Sequence, residues 1–343
     1  MASSVDPSGV AEAEERVRQP SGIGRFIGFR LLSGAGTVVF VLLFNFFLFR
    51  LLPGDPAARY RAVKNISAED LARIRRELDA PVLDQFWAYL RDPLALNGIS
   101  AWKGQPVWDL IGGRTWPTLV LLSTATLVSA VIGIRVGIHA GWKRGGPFDK
   151  VSTAVTLLFY ATPEFWLGLL LILLFSSGIG PFPSLFPSGG VIDSGIDPLS
   201  FAGVVSIANH TVLPAAALAA VYLAEYSLIM RASIIDERSQ EYLTTARAKG
   251  LMDHAVRRRH AVPNASLPTI TLIFLSIGYI FGGAITVETV FSYPGLGLLT
   301  FEAVTEQDFV LMQALFLVFT LSVIVFNIVA DIAIAILDPR IRT

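Results

Sequence analysis

Residues 241–263 read EYLTTARAKGLMDHAVRRRHAVP, a polar stretch between two long apolar ones. It carries Arg247, Lys249 and the triplet Arg257, Arg258 and Arg259, with Gly250 near its middle. From 239 to 249 the chain is built of good helix formers, and Gly250 stands where a left-handed residue closes a helix. A second short helix is expected over 252–262, ending against Pro263. Two short helices joined at a glycine make a compact elbow that stands off the apolar part of the chain. The small Ala246 and Ala248 would let another surface approach closely, and Tyr242, Leu243, Leu251 and Val256 would supply apolar contact. A cationic loop resting on anionic lipid is the competing account of the arginine triplet.

The apolar surroundings decide what the elbow projects from. Of 343 residues, 53% are hydrophobic and 16% charged, whereas a soluble domain carries about a quarter charged. Cysteine is absent, which excludes disulfides, a thiolate metal site and a cysteine nucleophile. Crossing about 30 Å of hydrocarbon takes roughly 20 mostly apolar helical residues. Six runs meet that need: 31–49, 118–134, 151–177, 212–230, 267–287 and 310–330. Open strands cannot satisfy their backbone groups in lipid, so the fold class is an all-α polytopic membrane protein with six transmembrane helices.

Lys and Arg in the connections set the orientation. They gather before the first run (Arg16, Arg18, Arg25, Arg30), between the second and third (Lys143, Arg144, Lys150), in the elbow, and at the end (Arg340, Arg342). The connections 178–210 and 289–309 contain none. The elbow and both termini are therefore expected in the cytoplasm. Residues 1–25 lack the apolar core of a signal peptide and read as a disordered cytoplasmic tail. Residues 26–343 form the six-span domain, with a small helical outer lobe at 53–115 and the cytoplasmic loop at 232–265.

Ionisable groups inside spans are costly and mark function by default. Glu164, directly after Pro163 in the third run, is the first candidate for a translocation pathway, against a structural partner on a neighbouring helix. Glu225 is the second, although it and Asp331 could reach water by snorkelling. Glu288, at the outer end of the fifth run, reads as an interface residue. His139, His210, His254 and His260 are scattered without metal spacing, and no G-x-x-x-x-G-K-[ST] stretch exists. The chain is expected to bind no metal or ATP and not to be an enzyme by itself.

With these residues in place the elbow resembles the cytoplasmic coupling ("EAA") loop of permease subunits in ATP-binding-cassette importers. That loop runs Glu-Ala-Ala, three residues, Gly, nine residues, then Ile-x-Leu-Pro. Ala246 and Gly250 fall on its third residue and its glycine, and His260, Val262 and Pro263 on the distal block. Thr244 and Thr245 replace Glu-Ala and His260 replaces Ile, departures that look like the peptide-transport branch. There an acidic-Tyr start precedes T-A-R-A-K-G-L, matching Glu241, Tyr242 and then Thr245, Ala246, Arg247, Ala248, Lys249, Gly250 and Leu251. RLLPGDP at 50–56, VETVFSYPGLG at 287–297 and LDPRIR at 337–342 are similar to the same branch, its dipeptide/oligopeptide/nickel permeases of the first-subunit type. Arg231, just beyond Tyr226, resembles that branch's exit from the fourth span, whereas Glu225 matches nothing in it.

The resemblance implies a type I importer fold in a bacterial inner membrane, with the elbow seated on a cytoplasmic ATPase subunit. It implies a second homologous permease subunit completing the pore and an extracytoplasmic solute-binding protein, with ATP and Mg bound only by the ATPase partners. Nucleic acid has no place in it. A di- or oligopeptide is the substrate it points to, with nickel chelates and other small solutes open. Two rivals remain: a secondary transporter or channel, and a membrane scaffold or receptor that uses the elbow only to recruit a partner.

Overall fold

The computed structural model describes residues 23–51, 69, 72, 76, 79–91, 98–178 and 183–337. The tail up to residue 22, most of the outer lobe before residue 79, the RLLPGDP stretch beyond Leu51 and the LDPRIR end beyond Leu337 lie outside them. The described chain is almost entirely helical. Long helices α1 (Ile23–Leu51), α3 (Val107–Trp142), α6 (Phe201–Arg238), α10 (Leu267–Val290) and α12 (Phe309–Leu337) form the body. A shorter α2 (Val82–Arg91) lies in the 53–115 connection, and α4 (Pro147–Ala161) and α5 (Glu164–Phe175) occupy the third run.

Among the described residues four helices, α1, α3, α6 and α12, are each long and apolar enough to cross a membrane, and α4 with α5 makes a fifth candidate. Six spans were expected. The third run is not the single helix the sequence predicts: α4 and α5 meet at an angle of 104°. Proline is the cause. Pro163 disfavours a helical residue before it, and Thr162 is accordingly extended (φ −91°, ψ 127°). Pro163 then caps α5, and Glu164 enters its first turn.

Among the described elements, helices α3 and α6 pack most extensively. Their seam is set by Gly133, Gly137 and Gly141, spaced four apart and so on one face of α3. A Cβ on Gly137 would lie 2.6 Å from the Ser227 carbonyl oxygen, and one on Gly141 2.7 Å from that of Arg231. Only glycine permits so close an approach of two backbones. Where the seam nears the elbow, Arg231 clamps Asp149 at the start of α4 through two bonds, Nε–Oδ1 2.5 Å and Nη2–Oδ2 3.0 Å. Arg231 is therefore a paired anchor, not a free cation of the loop. On the other flank Arg30 of α1 pairs with Asp331 of α12 at 3.0 Å, so Asp331 has a partner within the bundle.

At the end away from the elbow, the 289–309 connection holds a helix, α11 (Leu296–Thr305), that apolar periodicity did not reveal. Its start is held by Glu288, which is fully buried and not the interface residue expected. Thr118 Oγ1 donates to Glu288 Oε1 at 2.7 Å and accepts from the Leu296 amide at 2.8 Å, while the Leu298 amide donates to Glu288 Oε2 at 3.0 Å. The first amides of a helix have no partner within it, and here a carboxylate and a hydroxyl supply one. A Cβ on Gly295 would collide with the Glu288 carboxylate and Thr118, which gives the SYPGLG stretch its physical meaning.

Candidate functional site

The elbow starts with α7 (Glu241–Ala248), continues through α8 (Asp253–Val256) and a wide π turn (Arg257–Ala261), and ends in α9 (Val262–Ala265). Gly250 has φ +82°. Its amide donates to the Arg247 carbonyl at 2.9 Å, and the Leu251 amide donates to that of Ala246 at 3.4 Å. That pair of bonds is the Schellman closure, in which a left-handed residue satisfies the last carbonyls of a helix. The chain turns at the glycine, as the sequence predicts.

The second helix differs from expectation. It does not end against Pro263; it widens into the π turn and continues through Pro263, which sits in the first turn of α9. Proline there has no amide to lose from the ladder, and the Val262 amide reaches back five residues to the Arg257 carbonyl.

Nor does the elbow stand off the body. Leu243, Ala246, Val256 and Ala261 are buried against Trp142 of α3 and Met230 and Ile234 of α6. Burying a side chain such as Leu243 contributes about 1.5–3 kcal/mol. Trp142 Nε1 donates to Asp253 Oδ2 at 2.8 Å, and the Arg238 guanidinium lies 5.6 Å from the centre of the Trp142 ring. Tyr242 donates to Glu237, and Asn264 Nδ2 donates to the Tyr242 hydroxyl at 2.8 Å. Burial and then the Glu237 bond raise the Tyr242 phenol above its ordinary value, so it remains a donor. Arg247 and Asp253 are 4.0 Å apart and both largely exposed, a pair worth little in water.

Ala246 thus faces inward, against its expected role as a small contact for a partner. The outward face consists of Glu241, Thr244, Thr245, Arg247, Ala248, Lys249, Gly250 and Leu251, with Met252 80% exposed beside them. Sequence reasoning missed Met252, Trp142 and Asp253. Met252 directly follows the matched motif, and Trp142 lies 111 residues before Asp253, the loop residue it bonds.

The two intramembrane candidates sit apart from the elbow. Glu164 accepts from Thr286 Oγ1 of α10 at 2.9 Å. Glu225, on α6, is half-buried. The structure adds Tyr222, three residues before Glu225 on α6, with its ring centre 6.3 Å from that of Tyr226. Among the described residues no group of three or more potential ligands is placed to hold a metal.

A polytopic helical membrane subunit with a two-faced elbow at one end is the class that fold and site define. The chain belongs to the family described as the binding-protein-dependent transport system inner membrane component, which matches residues 133–343, with the family's N-terminal component matching 23–121. It is 32% identical to the probable peptide ABC transporter permease protein y4tP of Sinorhizobium fredii over 93% of this chain and 100% of that one. It is 34% identical to the glutathione transport system permease protein GsiC of Escherichia coli K12 over 91% and 97% respectively. Among solved structures, the inward-facing MetNI methionine ABC transporter shares the fold, with a TM-score of 0.51 at 16% identity over 68% of this chain and 98% of that one. The chain is a permease subunit of a binding-protein-dependent ABC importer, an inner-membrane component.

Proposed function

We propose that this permease forms half of a pore for di- or oligopeptides, completed by a second homologous permease subunit and fed by an extracytoplasmic solute-binding protein. Cytoplasmic ATPase subunits bind all the ATP and Mg; this chain binds neither and hydrolyses nothing. The outward residues of the 241–251 stretch, all but Leu243 and Ala246, are the coupling surface, and Glu164 and Glu225 face the translocation pathway. Membrane lipid is the remaining partner, met by the apolar flanks and the arginine triplet. The peptide reading is supported by the relatives' substrates and by the TARAKGL stretch.

One observation carries the coupling role: the elbow has two faces. One is bolted to the ends of α3 and α6 by Leu243, Val256 and Trp142, while the other presents Thr245, Ala248, Leu251 and Met252 to the outside. A partner pressing on the outer face moves two long helices at once, because the link between them is packed and hydrogen-bonded. A lipid anchor would need no such rigid seat.

The test is cross-linking in the reconstituted importer. Since the chain has no cysteine, Met252→Cys carries the sole thiol, and a benzophenone maleimide placed there is expected to yield an adduct with the ATPase subunit. Adducts with lipid alone would contradict the docking role. Orientation is checked the same way. Ser188→Cys and Ser194→Cys are expected to react with an impermeant maleimide from outside, and Arg144→Cys and Arg258→Cys only from the cytoplasm. Outside labelling of Arg258→Cys, or protection of Ser194→Cys, would overturn the topology.

A further inference from the structure

Two carboxylates in the body have a resident cation, Asp149 with Arg231 and Asp331 with Arg30, and the buried Glu288 is held by Thr118 and the first amides of α11. Glu164 and Glu225 differ. Glu164 is met by the Thr286 hydroxyl, and among the described residues no side chain donates a hydrogen bond or an ion pair to Glu225. An uncompensated carboxylate at membrane depth is costly and persists where it serves a pathway.

Their surroundings point to what they meet. Tyr222 is three residues before Glu225, so both share one face of α6, and Tyr222 is within electrostatic reach of Glu164 as well. The Tyr222 and Tyr226 rings are 6.3 Å apart. Tyr226 is fully buried, and among the described residues its hydroxyl makes no hydrogen bond of full geometry. Helix rise places the two acids at different depths. Glu225 is six residues, about 9 Å, along α6 from Arg231, while Glu164 bonds Thr286, four residues from the end of α10 that lies away from the elbow. Tyr222 falls between them, offering an aromatic face of the kind that attracts cations.

We infer that Glu164 and Glu225 are successive counter-charges for a protonated amine of the transported solute, which passes from one to the other across Tyr222. The inference rests on the peptide-import reading and specifies which end of the solute the pore holds.

The test uses the complete reconstituted importer with its binding protein and two probes, dialanine and N-acetyl-dialanine, each normalised to its measured loading on the binding protein. The parent complex is expected to take up the free amine about tenfold faster, the worth of one charge-assisted hydrogen bond. In Glu164→Gln and Glu225→Gln the ratio is expected to fall to about one, whereas Glu164→Asp and Glu225→Asp, which keep the charge, should retain a preference. An unchanged ratio in the Gln variants, or equal loss of both probes in them, overturns the inference in favour of a structural role. If the parent complex moves neither probe, the peptide reading falls and this inference with it.

Discussion

Gly137→Val is expected to abolish the folded, monodisperse subunit rather than merely slow transport. The added Cβ would sit 2.6 Å from the Ser227 carbonyl oxygen and 2.7 Å from the Met230 Cβ. Both are fixed by α6 itself, so no flexible side-chain end can swing aside. The helices must separate, and with them the Gly133 and Gly141 contacts above and below, the Arg231–Asp149 clamp and the seat of the elbow on Trp142. Overpacking costs about 1–3 kcal/mol where side chains can yield, and more is expected where two backbones are forced apart. Gly36→Val on α1 is the control, since a Cβ there meets nothing within 4 Å and its effect should stay within about 0.5 kcal/mol. Size-exclusion profile and thermal unfolding in detergent read both. A Gly137→Val chain that elutes and melts like the parent would show that close approach of α3 and α6 is not what holds the body together.

Much of this fold is legible in the sequence because lipid leaves a chain few choices. Long charge-free runs give α1 and α12 directly, and the glycine punctuation of 241–251 gives the closure of α7. What was hidden depends on partners distant in sequence. Glu288 reads as one more polar residue at a span's end, and only the fold reveals Thr118, 170 residues earlier, bonding to it. The start of α11 is capped from other helices, so no local capping signal marks it. Gly133, Gly137 and Gly141 are visible as a spacing, but which helix they meet is not. The elbow's inward face was misjudged for the same reason: small and apolar residues fit a partner's groove and a packed core equally well, and Ala246, Leu243 and Val256 serve the core. Pro163 was visible, yet a proline beside an acid does not by itself fix a 104° bend.

The central claim, that the elbow transmits ATPase motion to the pore, puts its greatest demand on Gly250. At φ +82° a β-branched residue is strained by its own backbone. A Cβ there would meet nothing else within 4 Å, so the penalty is local, about 1–2 kcal/mol. Spread over the whole bundle that is small, and Gly250→Val is expected to insert and to assemble with the second permease subunit. Concentrated at the turn, it shifts α7 against α8 and tilts the Thr245–Leu251 surface away from its partner. A strain of that size corresponds to roughly a 5–30-fold change in the population of the docked form. Arg258→Ala is the comparison, because Arg258 is exposed and a lipid-facing arginine should matter far less. The measurement is substrate-stimulated ATP hydrolysis by the reconstituted importer at matched subunit stoichiometry. The account predicts that Gly250→Val lowers it several-fold together with uptake while Arg258→Ala leaves it near the parent value; normal stimulation in Gly250→Val would mean that the elbow is not the transmission element.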